Sequence, residues 1–76
     1  MNLIKLDANL NQIEDVSALN ELINLNSLYL MNNQILNITP LENMIYLTTL
    51  DLSDNKFEDI FVLKNFLLLK VLYLQS

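Results

Sequence analysis

Asp7, Tyr29, Asp51 and Tyr73 follow one another at intervals of 22 residues. Carboxylates alternating with phenol rings are chemistry for holding a cation. The face of a ring attracts an ammonium or guanidinium group, and a carboxylate beside it adds opposite charge. Two further columns keep the same interval of 22: Lys5, Ser27, Thr49 and Val71 on one side, and Asn9, Met31, Ser53 and Gln75 on the other. Residues so far apart in sequence act together only if the chain returns to the same place once per interval.

The apolar residues impose that return. A 22-residue pattern is written over residues 3–24, 25–46 and 47–68 and begun again over 69–76, without insertion or deletion. Leu3, Leu25, Leu47 and Leu69 open the four copies. Leu6, Leu28, Leu50 and Leu72 come three places later, and Ala8, Leu30, Leu52 and Leu74 two places after those. An interval of two puts the last two columns on one face of a short strand. Asn11, Asn33 and Asn55 stand where the chain must turn out of the strand. An interior Asn there can satisfy backbone groups that the turn leaves unpaired, and stacked copies can bond from coil to coil.

The second half of each copy keeps an interval of three. Ile13, Ile35 and Phe57 are followed by Val16, Ile38 and Ile60, by Leu19, Leu41 and Leu63, and by Leu22, Met44 and Phe66. A tight helical turn or irregular return arm needs this spacing to keep one edge in a core. Pro40 fits the first position of such a turn, with Thr39 as its cap. Leu36, Phe61 and Val62 interrupt the polar places of the arm, and Ile23, Ile45, Tyr46, Leu67 and Leu68 add apolar surface to its second half. They either fill the irregular arm, lie under a neighbouring domain, or form a second contact surface. Leu10 is placed to shield the open edge of the first coil.

This pattern resembles the 22-residue class of leucine-rich repeats. The stretch LNSLYLMNNQILNITPLENMIYLTTLDLSDNKFEDI is similar to the repeats of bacterial internalins, and the class also includes a regulatory subunit of a eukaryotic serine/threonine protein phosphatase. The resemblance implies an α/β solenoid: a short arc with a parallel concave sheet and helical-turn or irregular convex arms, in one domain over residues 1–76. Members of this class bind other proteins, usually on the concave face or its rim. Carried onto this chain, the resemblance turns Asp7, Tyr29, Asp51 and Tyr73 outward at the centre of that face, with Met31 beside them. Strands stand about 4.8 Å apart, so Tyr29 and Tyr73 would flank Asp51 within reach of one bound side chain, favouring an incoming Lys or Arg. A second reading makes these ordinary solvated strand positions, where tyrosine suits a half-exposed pleated surface.

Other polar groups carry less. Asp51, Asp54 and Asp59 do not converge as a calcium ion requires. Glu14-Asp15 and Glu58-Asp59 recur 44 residues apart as repeat grammar, and do not read as a catalytic dyad. Asn37-Ile38-Thr39 matches a glycosylation acceptor, with Pro40 unhelpfully next to it. Histidine, cysteine and glycine are absent, which removes the commonest general base, thiol chemistry and every phosphate-cradling glycine loop. We therefore expect no enzyme activity, cofactor or metal. A net charge of −5 disfavours nucleic acid and anionic membranes and favours a basic protein partner. No apolar run, Phe66–Leu69 included, exceeds four residues, too short to span a bilayer.

The expected role is a protein–protein interaction module. It would serve as an intracellular adaptor or regulatory scaffold in the cytoplasm, as a secreted or surface adhesion protein of the internalin type if a signal lies elsewhere in the gene, or as a repeat segment of a larger enzyme. Solenoid ends expose apolar residues that capping repeats normally cover. The chain is therefore expected to be a segment of a longer array, and to self-associate through uncapped ends.

Overall fold

The computed structural model describes residues 4–75, so Leu3 of the first leucine column lies outside the described residues. Four three-residue strands form one parallel sheet: β1 (Lys5–Asp7), β2 (Ser27–Tyr29), β3 (Thr49–Asp51) and β4 (Val71–Tyr73), in sequence order. Their register has no slip. Leu6, Leu28, Leu50 and Leu72 are mutual partners, as are Asp7, Tyr29, Asp51 and Tyr73, so each strand is displaced by one full repeat from the last.

The chain leaves β1, β2 and β3 through one left-handed residue each, Leu10, Asn32 and Asp54, at φ 60°, 62° and 57°. Asn and Asp tolerate that conformation because their short polar side chains bond locally, whereas a leucine Cβ is crowded there. Leu10 is thus the strained copy of the turn. It is also 69% exposed, so it does not shield the first coil as expected; its left-handed backbone directs the side chain to solvent. Leu10→Asn should relieve the strain and raise the unfolding free energy by about 1 kcal/mol, and Asn32→Leu should lose a similar amount. Urea melts of the two variants would show this, and unchanged midpoints for both would mean the turn carries no strain.

The asparagine after each left-handed residue closes the turn. Asn33 Nδ2 donates to the carbonyls of Leu30, Met31 and Ala8, the last in the preceding coil, and its Oδ1 accepts from Ile13 N–H at 3.1 Å. Asn55 repeats the set one coil on, with Ile35 N–H as its donor. Asn11 bonds only carbonyls of its own coil.

The return arms are 3₁₀ turns at Ser17–Leu19, Thr39–Leu41 and Phe61–Asn65, with no α-helix among the described residues. Bonds from residue i to i−3 join Leu19 to Val16, Leu22 to Leu19 and Leu25 to Leu22, and both later arms repeat them. This is the physical meaning of the interval of three: each interior residue donates to the previous one. Pro40 lies in the first turn, but Thr39 is not its cap. The side chain two places earlier has that role: Asp15, Asn37 and Asp59 each accept the backbone N–H two residues on, at 2.8, 2.9 and 2.9 Å. The Ser17 hydroxyl and then its N–H, both donating to Asp15, hold that carboxyl below the ordinary aspartate range.

Leu25, Leu28, Leu30, Ile35, Leu41, Met44, Leu47 and Leu50 are fully buried between the sheet and the arms. Three residues, Ile60, Leu72 and Leu74, differ from the sequence reading, and Val62 falls to the first of its alternatives, filling the arm. Ile60 is 49% exposed although Val16 and Ile38 of its column are buried, because cover in this column comes from the following arm and none follows Ile60 among the described residues. Val62 is buried, so it belongs to the core, unlike exposed Leu36 and Phe61. Leu72 and Leu74 are each 38% exposed, since β4 is paired only on its β3 side among the described residues.

Candidate binding surface

In a three-residue strand the central side chain points one way and its two neighbours the other. Leu28 and Leu50 occupy the central places of β2 and β3 and are sealed in the core, so Ser27, Tyr29, Thr49 and Asp51 face outward. The structure brings the four expected residues into one row, Asp7, Tyr29, Asp51 and Tyr73, each the register partner of the next. Asp7 and Tyr73 at its ends are exposed, while Tyr29 and Asp51 inside it are half-buried. The strands are short, yet the backbone beneath the row is tied to its neighbours: Ala8, Leu30 and Leu52 N–H groups donate to Tyr29, Asp51 and Tyr73 carbonyls at 2.8, 2.8 and 2.9 Å.

The carboxylates are partly used. Asp7 Oδ1 accepts Asn9 N–H at 3.2 Å and Asp51 Oδ1 accepts Ser53 N–H at 3.0 Å. Each side chain is thereby fixed in direction, and the second oxygen has no hydrogen-bond partner among the described residues. The next column is less available than its sequence implies. Asn9 Oδ1 is occupied by Met31 N–H, Met31 is half-buried, and Ser53 is only 6% exposed, so Ser53 is not part of an outward face as expected. Serine is the shortest side chain of that column, and the same carbonyl bonds hold its backbone as hold Met31 and Asn9.

One contact was not anticipated from the sequence. Lys5 Nζ lies 5.3 Å from the centre of the Tyr29 ring, a cation–π distance across two strands. The spacing could have revealed it, because Lys5 and Tyr29 are diagonal neighbours once β1 and β2 are in register, within reach of a long side chain. Three hollows of the surface lie away from this row, one at the end of the arc between Phe57, Ile60 and Leu74, the others on the arm side near Pro40 and Lys56. Among the described residues no group of three His, Cys, Asp or Glu side chains could hold a metal ion, and no helix is long and apolar enough to cross a membrane.

No protein-family model matches the chain, and no curated protein does. Among solved structures it is similar to internalin C2 from Listeria monocytogenes strain 4b F2365, with a TM-score of 0.72 and 34% identity over 96% of this chain. The chain spans 42% of the length of that structure. The resemblance to the phosphatase subunit rests on the repeat motif alone. The parallel four-stranded sheet, the 3₁₀ arms and this likeness together establish the architecture: an internalin-like leucine-rich repeat arc.

Proposed function

We propose that the chain is a protein–protein interaction module that presents Asp7, Tyr29, Met31, Asp51 and Tyr73 to a protein partner with a basic surface. The observation that carries this reading is the in-register row of Asp and Tyr side chains on a backbone fixed by the parallel ladder. A tyrosine held this way offers a large contact area with little entropy left to lose, which is what hot-spot residues have in common. The net charge of −5 adds attraction for a basic partner. Binding, rather than catalysis, is the role this scaffold typically serves. Two settings are open to such a module, an intracellular scaffold or a secreted or surface adhesion protein of the internalin kind.

Affinity capture from the source organism's surface fraction and from its cell extract would recover the partner, and the fraction that yields it would separate the two roles. With that partner, Tyr29→Ala combined with Tyr73→Ala should weaken binding by about 2 kcal/mol or more, roughly thirtyfold in Kd by calorimetry. Glu42→Ala and Lys64→Ala on the arms should leave it unchanged. Undiminished affinity of the double variant would place the contact on the convex side instead.

A further inference from the structure

The outward row contains the same arrangement twice, and among the described residues only one copy is filled. In the first, Asp7 of β1 is the register partner of Tyr29 in β2, and Lys5 of the same β1 strand extends its ammonium over the Tyr29 ring at 5.3 Å. Two coils further on, Asp51 of β3 stands in the same register to Tyr73 of β4. The place of Lys5 is taken there by Thr49, which carries no charge, and the three outward columns contain no other lysine or arginine. Tyr73 lies on the end strand and is 48% exposed, and Asp51 keeps one carboxylate oxygen without a hydrogen-bond partner among the described residues.

We propose that the Asp51–Tyr73 pair is a receiving site for a Lys or Arg side chain of the partner, which occupies over the Tyr73 ring the position that Lys5 fills over the Tyr29 ring within the chain. This inference rests on the reading of the concave row as the binding face and names what that face selects. The protein itself supplies the precedent for the occupant: a primary ammonium on a four-carbon stem reaches from one strand across the ring on the next. A guanidinium has the same charge and stacks on a ring at least as well. An acidic or purely apolar side chain would leave the Asp51 carboxylate facing unfavourable or neutral surroundings. The site therefore discriminates by charge sign.

The test uses a fluorescein-labelled tetralysine peptide titrated into the full 76-residue chain at low ionic strength, followed by anisotropy. Thr49→Lys places an internal ammonium where the probe's should go, and should weaken binding about tenfold. Thr39→Lys on the arm makes the same change in net charge and should alter binding less than about twofold. Lys5→Ala should do the reverse, opening Tyr29 and adding a second, similar site to the isotherm. Asp51→Asn, with almost unchanged shape, should weaken the probe and repeats the test should Thr49→Lys fail to give a native melt. Equal weakening by Thr49→Lys and Thr39→Lys would mean that only net charge attracts the probe, and would overturn the proposal. If the captured partner loses affinity on loss of both tyrosines but is indifferent to Asp51→Asn and Thr49→Lys, the interaction module stands and the cation site falls.

Discussion

Leu50→Ala is expected to lower the unfolding free energy by about 3 to 4 kcal/mol, the largest loss from any single truncation in the chain. Leu50 is fully buried at the centre of β3, with Leu28 on one side and Leu72 on the other in register. Its side chain is held between two coils and the arms behind them, so the structure has little freedom to collapse into the space. The loss then combines the transfer of the removed methyl groups with the cavity that remains. A domain of this size has about 4 to 11 kcal/mol of stability in total, so the variant gives up about a quarter of it or more. Leu72→Ala supplies the control in the same column: at 38% exposure it should cost only about 1 kcal/mol. Urea titrations would read both as shifts in midpoint at constant slope. Equal losses at Leu50 and Leu72 would indicate that the end coil is as well covered as the inner ones.

The second large effect is expected at the asparagine ladder. Asn33→Leu should cost about 2 to 4 kcal/mol, even though leucine is the more apolar residue for a position that is 6% exposed. The carbonyls of Ala8, Leu30 and Met31 would each keep one other donor: Asn11 Nδ2, Asn55 Nδ2 and Leu10 N–H. Ile13 N–H has Asn33 Oδ1 as its acceptor and would be left without one, which is the dominant part of the loss. Asn55→Leu should cost a comparable amount, because it removes the acceptor of Ile35 N–H in a residue with no exposure at all. Asn11→Leu should cost under about 1 kcal/mol, since Asn11 receives no backbone N–H and Ala8 O retains its bond from Asn33. Thermal melts of the three variants would test the order. Uniformly small shifts would show that the ladder is solvated and that water replaces it.

The repeat itself was readable because each coil solves the same packing problem with the same residue types. The interval of 22 became the register of the sheet without adjustment, and the interval of three became the i to i−3 bonds of the arms. Two further columns were as regular but carried no apolar signal. Leu10, Asn32 and Asp54 share a left-handed backbone, and Asp15, Asn37 and Asp59 share the role of capping acceptor. Their residue types vary with what a turn tolerates, so recurrence of one amino acid could not expose them. The candidate row was legible for a similar reason: once strands stack by repeat, Asp7, Tyr29, Asp51 and Tyr73 have to be neighbours.

What the sequence by itself determined was therefore everything that follows from periodicity: which residues share a column, which columns face inward, and that the chain closes into stacked coils. The tertiary structure alone decided how far each member of a column is covered. Val16 and Ile38 are sealed while Ile60 is open, Val62 enters the core while Phe61 does not, and Ser53 is covered in an otherwise more exposed column. It also decided that Lys5 lies on Tyr29 and that Tyr73 has no such cation among the described residues. The physical reason is common to all of these. A repeat specifies the position of a residue within its own coil, whereas burial and side-chain contact depend on the coil stacked beside it, and a coil at either end of the described arc has that neighbour on one side only.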